Sequence, residues 1–276
     1  MLKSLPPLLT AEIAKAILGG ARRVSLDLGL SEKVVSVEGE VVSLDDGFVV
    51  YLEDLYKIAG RENAIYFPDD GSIYQIAVSD GRFYKLVPTA GAPTFEIDGV
   101  RMHRTKGTTP DRDSKQKLEA LGLRGGRVLD TCMGLGYTAV GALRRGAEVV
   151  VTIEKEPAVV RVAEMNPWSR ALFDGDVSLV LGDSFLIVDS LPSGFFDWVI
   201  HDPPRLSHAG ALYSEEFYRK LYRVMAPGAR LFHYTGEPGS RYRGVDLQKG
   251  VQRRLRRIGF GSVFYHPGVM GVTCEK

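Results

Sequence analysis

From Arg127 onward the chain alternates strand-like and helix-like runs, and this alternation restricts its possible folds more than any other feature. Apolar runs at 127–130, 149–153, 178–181, 198–201, 229–234 and 262–265 are separated, in most cases, by segments of helical spacing. Apolar runs joined by helical crossovers predict an α/β fold, a Rossmann-like doubly wound and mostly parallel sheet. The turn His266-Pro267-Gly268 then returns the chain as an antiparallel edge strand running to Cys274.

Residues 21 to 102 have a different texture. Short β-branched runs such as Val34-Val35, Val41-Val42 and Phe48-Val49-Val50 alternate with Asp45-Asp46-Gly47, Asp69-Asp70-Gly71 and Ser79-Asp80-Gly81. Asp-Gly pairs favour hairpin turns, because both central residues take positive φ there. A further hairpin is expected over 95–102, turning at Asp98-Gly99. Leu52, Leu55, Tyr56, Ile58 and Ala59 have helical spacing closed by Gly60, and residues 5–20 predict a short amphipathic helix. The expected organisation is a small β-rich α+β domain over 1–102, without a catalytic constellation, and a Rossmann-like domain over 103–276.

Four strand ends carry chemistry. The first is Asp130-Thr131-Cys132-Met133-Gly134-Leu135-Gly136, an acid closing a strand, a glycine loop, then a helix start. A dinucleotide site has G-x-G-x-x-G directly after the strand. Here an acid precedes the glycines and position 139 is Ala, so a pyrophosphate would be repelled and a cationic group attracted. Glu154, with Lys155 beside it, closes the next strand, about twenty residues on, where a carboxylate can accept from ribose hydroxyls. Gly182-Asp183-Ser184 closes the third. Asp183 can accept from an adenine amino group or cap the following helix, and the two roles are compatible. His201-Asp202-Pro203-Pro204-Arg205 closes the fourth, where two prolines fix the loop and aim Asp202 at the mouth of the site. An acceptor-lined loop suits an amino nucleophile that must shed a proton. Ahead of the domain, Arg104-Thr105-Lys106-Gly107-Thr108-Thr109-Pro110 either caps a helix or folds over the cofactor, with Pro110 at the first helical position.

Together these residues resemble the class I, Rossmann-like S-adenosylmethionine-dependent methyltransferases. The runs 102–110, 129–137, 201–205 and 233–240 are similar to a group of archaeal predicted methyltransferases. That resemblance implies that Asp130, Gly134 and Gly136 hold the amino-acid end of S-adenosylmethionine, Glu154 the ribose and Asp183 the adenine. Cys132, Lys155, Gly182, Ser184 and Thr108 are further candidates for binding this cofactor. Asp202, Pro203 and Pro204 look like the acidic Pro-Pro motif of amino-group methyltransferases, which implies methyl transfer to an amino nitrogen of RNA or another nucleic acid. Those enzymes usually place an aromatic residue after the prolines, where this chain has Arg205. The polyamine aminopropyltransferases, which follow a small β-rich domain and use decarboxylated S-adenosylmethionine, are the alternative likeness.

Composition limits the remaining options. A formal net charge of +1 gives no global attraction to nucleic acid or membrane. Attraction to RNA must come from the basic segment 241–257, with Arg241 and Arg243 as the candidate substrate contacts beside Arg205. The arginines of its helical part are equally the solvated face of an amphipathic helix. Two cysteines, Cys132 and Cys274, make no disulfide framework, and the five histidines lack metal-ligand spacing. No run is long and apolar enough to span a bilayer. A cytoplasmic protein is expected, and two asparagines in 276 residues suit a thermophilic source.

Overall fold

A computed structural model describes residues 5–207, 209–236 and 246–276. They form two compact units, residues 1–111 with 158–170, and residues 112–157 with 171–276.

In the first unit, Asp70-Gly71 turns the hairpin Tyr66–Asp69/Ser72–Gln75 and Asp98-Gly99 turns Thr94–Ile97/Val100–Arg101. Both residues of each pair have positive φ, the backbone that a two-residue type I′ turn requires. A helix spans Leu52–Ala59 and ends at Gly60, as its spacing predicts. The N-terminal helix is shorter than expected, Ala11–Leu18. Pro6 and Pro7 disfavour helix before it, and the Thr10 hydroxyl caps it by accepting from the Ile13 N–H. Its buried Ala14 and Ile17 join Leu55, Ile58 and Val42 in the core of this unit. The segment 158–170, which lies among the elements of the α/β sheet in chain order, is fastened to this unit by the Trp168 indole N–H. It donates to the Leu28 carbonyl at 3.0 Å.

The second unit is built on one seven-stranded sheet. Its strands are labelled β1 (Arg127–Asp130), β2 (Val149–Glu154), β3 (Val177–Leu181), β4 (Phe196–His201), β5 (Met225–Tyr234), β6 (Gly261–His266) and β7 (Gly271–Glu275). Helices are α1 (Pro110–Leu121), α2 (Tyr137–Leu143), α3 (Pro157–Glu164), α4 (Ser184–Ser190), α5 (Glu215–Val224) and α6 (Leu247–Ile258). The strand order is β3-β2-β1-β4-β5-β7-β6, parallel from β3 to β5, with β7 antiparallel to both its neighbours. The expected antiparallel strand is present at that edge. It inserts between β5 and β6, so the first arm of the hairpin is outermost.

This order reverses direction between β1 and β4, and ligands bind at such a switch point, outside the carboxyl ends of the strands. Leu129, Ile153, Val199 and Leu231 of the central strands pack with Phe217, Leu221 and Leu255 of α5 and α6. The strand ends are thereby fixed by a continuous apolar core.

Candidate active site

The parallel register brings the acids of β1, β2 and β4 to one edge. Asp130 pairs in register with Thr152 and Ile200, and Glu154 with Leu181, so Asp130, Glu154, Gly182-Asp183 and Asp202 leave four adjacent strands at their carboxyl ends. Four strands at about 4.8 Å spacing span roughly 14 Å.

The first loop is closely knit. Asp130 is fully buried and accepts from the hydroxyls of Thr138 at 3.0 Å and Thr152 at 3.2 Å, with the Cys132 N–H at 3.4 Å. Gly134 donates its N–H to the Glu154 carboxylate at 3.0 Å, and the other oxygen of Glu154 accepts from the N–H groups of Lys155 and Glu156. The Ser184 hydroxyl donates to the Thr131 carbonyl, tying the third loop to the first. Gly136 is the N-cap of α2 with φ of 74°. A Cβ at this position would lie 2.1 Å from Leu172 Cδ1, so both its backbone and its surroundings require glycine.

The electrostatics follow from burial. Burial pushes the Asp130 carboxyl up to about 7, against its hydrogen bonds from Thr138, Cys132 and Thr152, and the Asp202 charge adds to the rise. Burial likewise raises Glu154, opposed by its three backbone donors. The Cys132 thiol is pushed well above its usual range, first by burial, then by Glu154, Asp130 and Asp202. The three carboxylates therefore converge on this loop. A free carboxyl titrates near 3.9, so folded Asp130 keeps a proton that the unfolded chain releases. The stability it contributes is full below about pH 4 and is lost as pH rises through about 7. Urea unfolding of the ligand-free protein should show this decline, and Asp130→Asn should flatten it. An equal slope in the variant would contradict the assignment.

Asp183 takes the capping role, accepting from the Phe185 N–H at 2.9 Å, while pairing with exposed Lys155 at 3.0 Å. Thr108 belongs to the first unit, and its hydroxyl donates to the Thr109 carbonyl at 3.3 Å. Helix α1 starts at Pro110, as predicted.

Around Asp202 the structure adds residues that sequence reasoning missed. Lys117 of α1 lies 2.5 Å from Asp202 and 2.7 Å from Asp113, with its side chain only 6% exposed. Its ammonium also stands 4.7 Å over the Tyr234 ring. Burial opposes the charge, but Asp202 and Asp113 outweigh it and hold Lys117 protonated above its usual range. The i,i+4 spacing of Asp113 and Lys117 is the only sequence signal for this group, and it is a common one. Tyr213 donates its hydroxyl to the Pro204 carbonyl at 3.0 Å, securing the Pro-Pro loop. Pro203 is buried, while Pro204 and Arg205 are exposed.

His201 and His233 are structural. Nε2 of His201 donates to the Leu212 carbonyl at 2.9 Å, which leaves Nδ1 to accept from Thr131 at 2.7 Å. Burial pushes His201 down to about 4 and His233 well below its usual value, so both rings are neutral. In the basic segment, Arg257 pairs with Glu215, Arg256 bonds to Gln252 and the Val263 carbonyl, and Lys249 pairs with Asp246. These cations serve the surface of α6. Arg241, Arg243 and His208 lie outside the described residues. Among the described residues no group of acids, histidines and cysteines has metal-site geometry, and no helix is long and apolar enough to cross a membrane.

A family model described as Conserved hypothetical protein 95 matches residues 109–228, from the start of α1 into β5. The uncharacterized protein MJ1233 of Methanocaldococcus jannaschii is 48% identical, over 97% of this chain and 95% of that protein. The chain belongs to the family of MJ1233. Within the same comparison, the polyamine aminopropyltransferase 2 of Streptomyces coelicolor is 34% identical over 79% of this chain, a match that spans 40% of that longer protein. A spermidine synthase crystallised with the transition-state analogue AdoDATO superposes with a TM-score of 0.59 at 17% identity, covering 75% of this chain and 76% of that one. This likeness establishes the fold, a Rossmann-like and mostly parallel sheet as the alternation of strands and helices predicts.

Proposed function

We propose that the protein is an S-adenosylmethionine-dependent transferase that methylates an amino nitrogen. The carrying observation is the acidity of the strand-end mouth, where Asp130, Glu154 and Asp202 converge on the first loop and the buried Lys117 pairs with Asp202 and Asp113. Such a site suits a cationic donor and an amine acceptor, and it disfavours a pyrophosphate.

The residues fit this donor. The first loop, with Asp130 at its base and Gly134 and Gly136 in its backbone, receives the amino-acid end, assisted by Cys132. Glu154 and Lys155 serve the ribose, with Gly182, Asp183 and Ser184 at the adenine. S-adenosylmethionine supplies an electrophilic methyl carbon on a sulfonium. Asp202 accepts a hydrogen bond from the incoming amine, orients its lone pair and takes the proton that leaves nitrogen. Lys117 pairs with Asp202, and the Pro203-Pro204 pair with Tyr213 keeps it in place. Arg205, exposed beyond the prolines, stands where it can bind or stack on the acceptor. An amine on a nucleic acid is the acceptor that the motif favours, with Arg241 and Arg243 as further contacts.

Aminopropyl transfer is the second reading, favoured by the 34% identity to an aminopropyltransferase over most of this chain. One experiment separates the two. The protein is incubated with methyl-labelled S-adenosylmethionine, or with decarboxylated S-adenosylmethionine labelled in its aminopropyl group, and with RNA, protein and polyamine fractions. Methyl label should enter an amine-bearing acceptor. Asp202→Asn should keep donor affinity and lose about 10²- to 10⁴-fold in transfer, the usual worth of a positioned proton acceptor. Transfer of the aminopropyl group alone, or full activity in Asp202→Asn, would overturn the proposal.

A further inference from the structure

The cavity beside the Pro-Pro loop is lined by a cation that has no ion pair among the described residues. It holds about 240 Å³ and is lined by Leu206, Tyr213, Leu247, Gly250 and Arg254, among others. It adjoins the proposed transfer site through Tyr213. That residue bonds to the Pro204 carbonyl, and its hydroxyl, raised chiefly by burial, also feels the Asp202 charge.

Among the cations of α6, Arg253 is exposed, whereas Arg254 is half-buried. Lys249 and Arg257 have carboxylate partners, and Arg256 has a glutamine and a carbonyl. Arg254 makes no ion pair among the described residues, and its Nε is buried without a hydrogen-bond partner. Its guanidinium lies 5.8 Å over the Tyr218 ring, interacts with the Tyr218 hydroxyl by charge and hydrogen bonding, and its charge also acts on His233; both partners are neutral. Gly250 leaves it room, since a Cβ there would come within 3.3 Å of Arg254 Nη1. A half-buried guanidinium with an unused donor is costly unless an anion completes it. Its planar fork matches two oxygens of a carboxylate or phosphate.

We propose that this cavity is an acceptor subsite in which Arg254 binds an oxyanion, a phosphate or carboxylate, carried by the molecule whose amine meets Asp202. The proposal rests on the transferase reading above and narrows it, because a simple polyamine has no such group.

The test uses the full chain, labelled with ¹⁵N. The arginine Nε–H resonance missing from Arg254→Met identifies Arg254. Inorganic phosphate and acetate are titrated separately, with chloride holding ionic strength constant. At least one should shift that resonance saturably. Calorimetry should show that anion bound at least about tenfold more weakly by Arg254→Met, the loss of a charge-assisted bond. Arg254→Lys should retain part of the affinity. A response to phosphate alone assigns a phosphoryl-bearing acceptor, and one to acetate alone assigns a carboxylate. No saturable shift with either anion, or equal anion affinity in folded Arg254→Met, overturns the subsite. S-adenosylmethionine affinity is measured on the same samples. Loss of donor binding with the anion shift intact would sink the donor assignment and leave the subsite standing.

Discussion

Replacing Lys117 with Met should cost about 3–5 kcal/mol of unfolding free energy, the usual penalty for removing one partner of a buried ion pair. The side chains of Lys117 and Asp113 are 6% and 3% exposed, and that of Asp202 is 24% exposed. Water therefore cannot replace the ammonium at Asp113. The variant would strip their shared ammonium from two carboxylates that have little solvent around them. Urea unfolding followed by circular dichroism measures the loss. Asp113→Asn added to Lys117→Met should recover part of it, because one of the two stranded charges is gone. A loss below about 1 kcal/mol in Lys117→Met would show that the triad is not the electrostatic anchor of the Asp202 loop.

Gly136→Ala should destabilise by about 2–4 kcal/mol, from two separable causes. The first is backbone strain, since φ of 74° is a left-handed conformation that alanine resists. The second is overlap with Leu172, whose three nearest side-chain atoms would lie 2.1 to 2.6 Å from the new Cβ. Leu172 is 2% exposed, so solvent does not offer it room to move. Adding Leu172→Ala to Gly136→Ala removes the overlap and leaves the strain. The double variant should therefore lose less than the sum of the singles. Strict additivity would show that Leu172 is not what enforces glycine at this position.

Much of the sheet was readable in the sequence because its strands are buried on both faces. Apolar runs such as Val149–Ile153 and Trp198–His201 need no partner to be recognised, and the acids that end them stand out by contrast. The hairpin turns were equally local, since Asp70-Gly71 and Asp98-Gly99 carry their geometry in two residues. What escaped was tertiary. Lys117 lies on a helix of low hydropathy, and its contacts with Asp202 and Tyr234, at the ends of β4 and β5, are ones that no spacing along α1 reveals. Tyr213 gains its role from a short 3₁₀ turn whose position depends on His201. The same holds for segment 158–170, whose attachment to the first unit includes the Trp168 indole hydrogen bond to Leu28 and the Arg161–Asp80 ion pair, both distant in sequence. The arginines of α6 show the converse. A basic run suggests phosphate contacts, but only the fold separates Arg256 and Arg257, which are used internally, from Arg254, whose buried Nε has no hydrogen-bond partner.

The measurement closest to the central claim is calorimetric titration of S-adenosylmethionine across the ionisation of Asp130. A cationic donor seated over this carboxylate needs it charged, and burial holds its carboxyl near 7 in the ligand-free protein. Affinity should rise by about tenfold or more between about pH 5.5 and about pH 7, below the range in which the donor's own amine titrates. In Asp130→Asn, binding should be weaker and flat with pH. Absence of one-to-one binding by the wild type, or affinity unchanged by both pH and the substitution, would contradict the account.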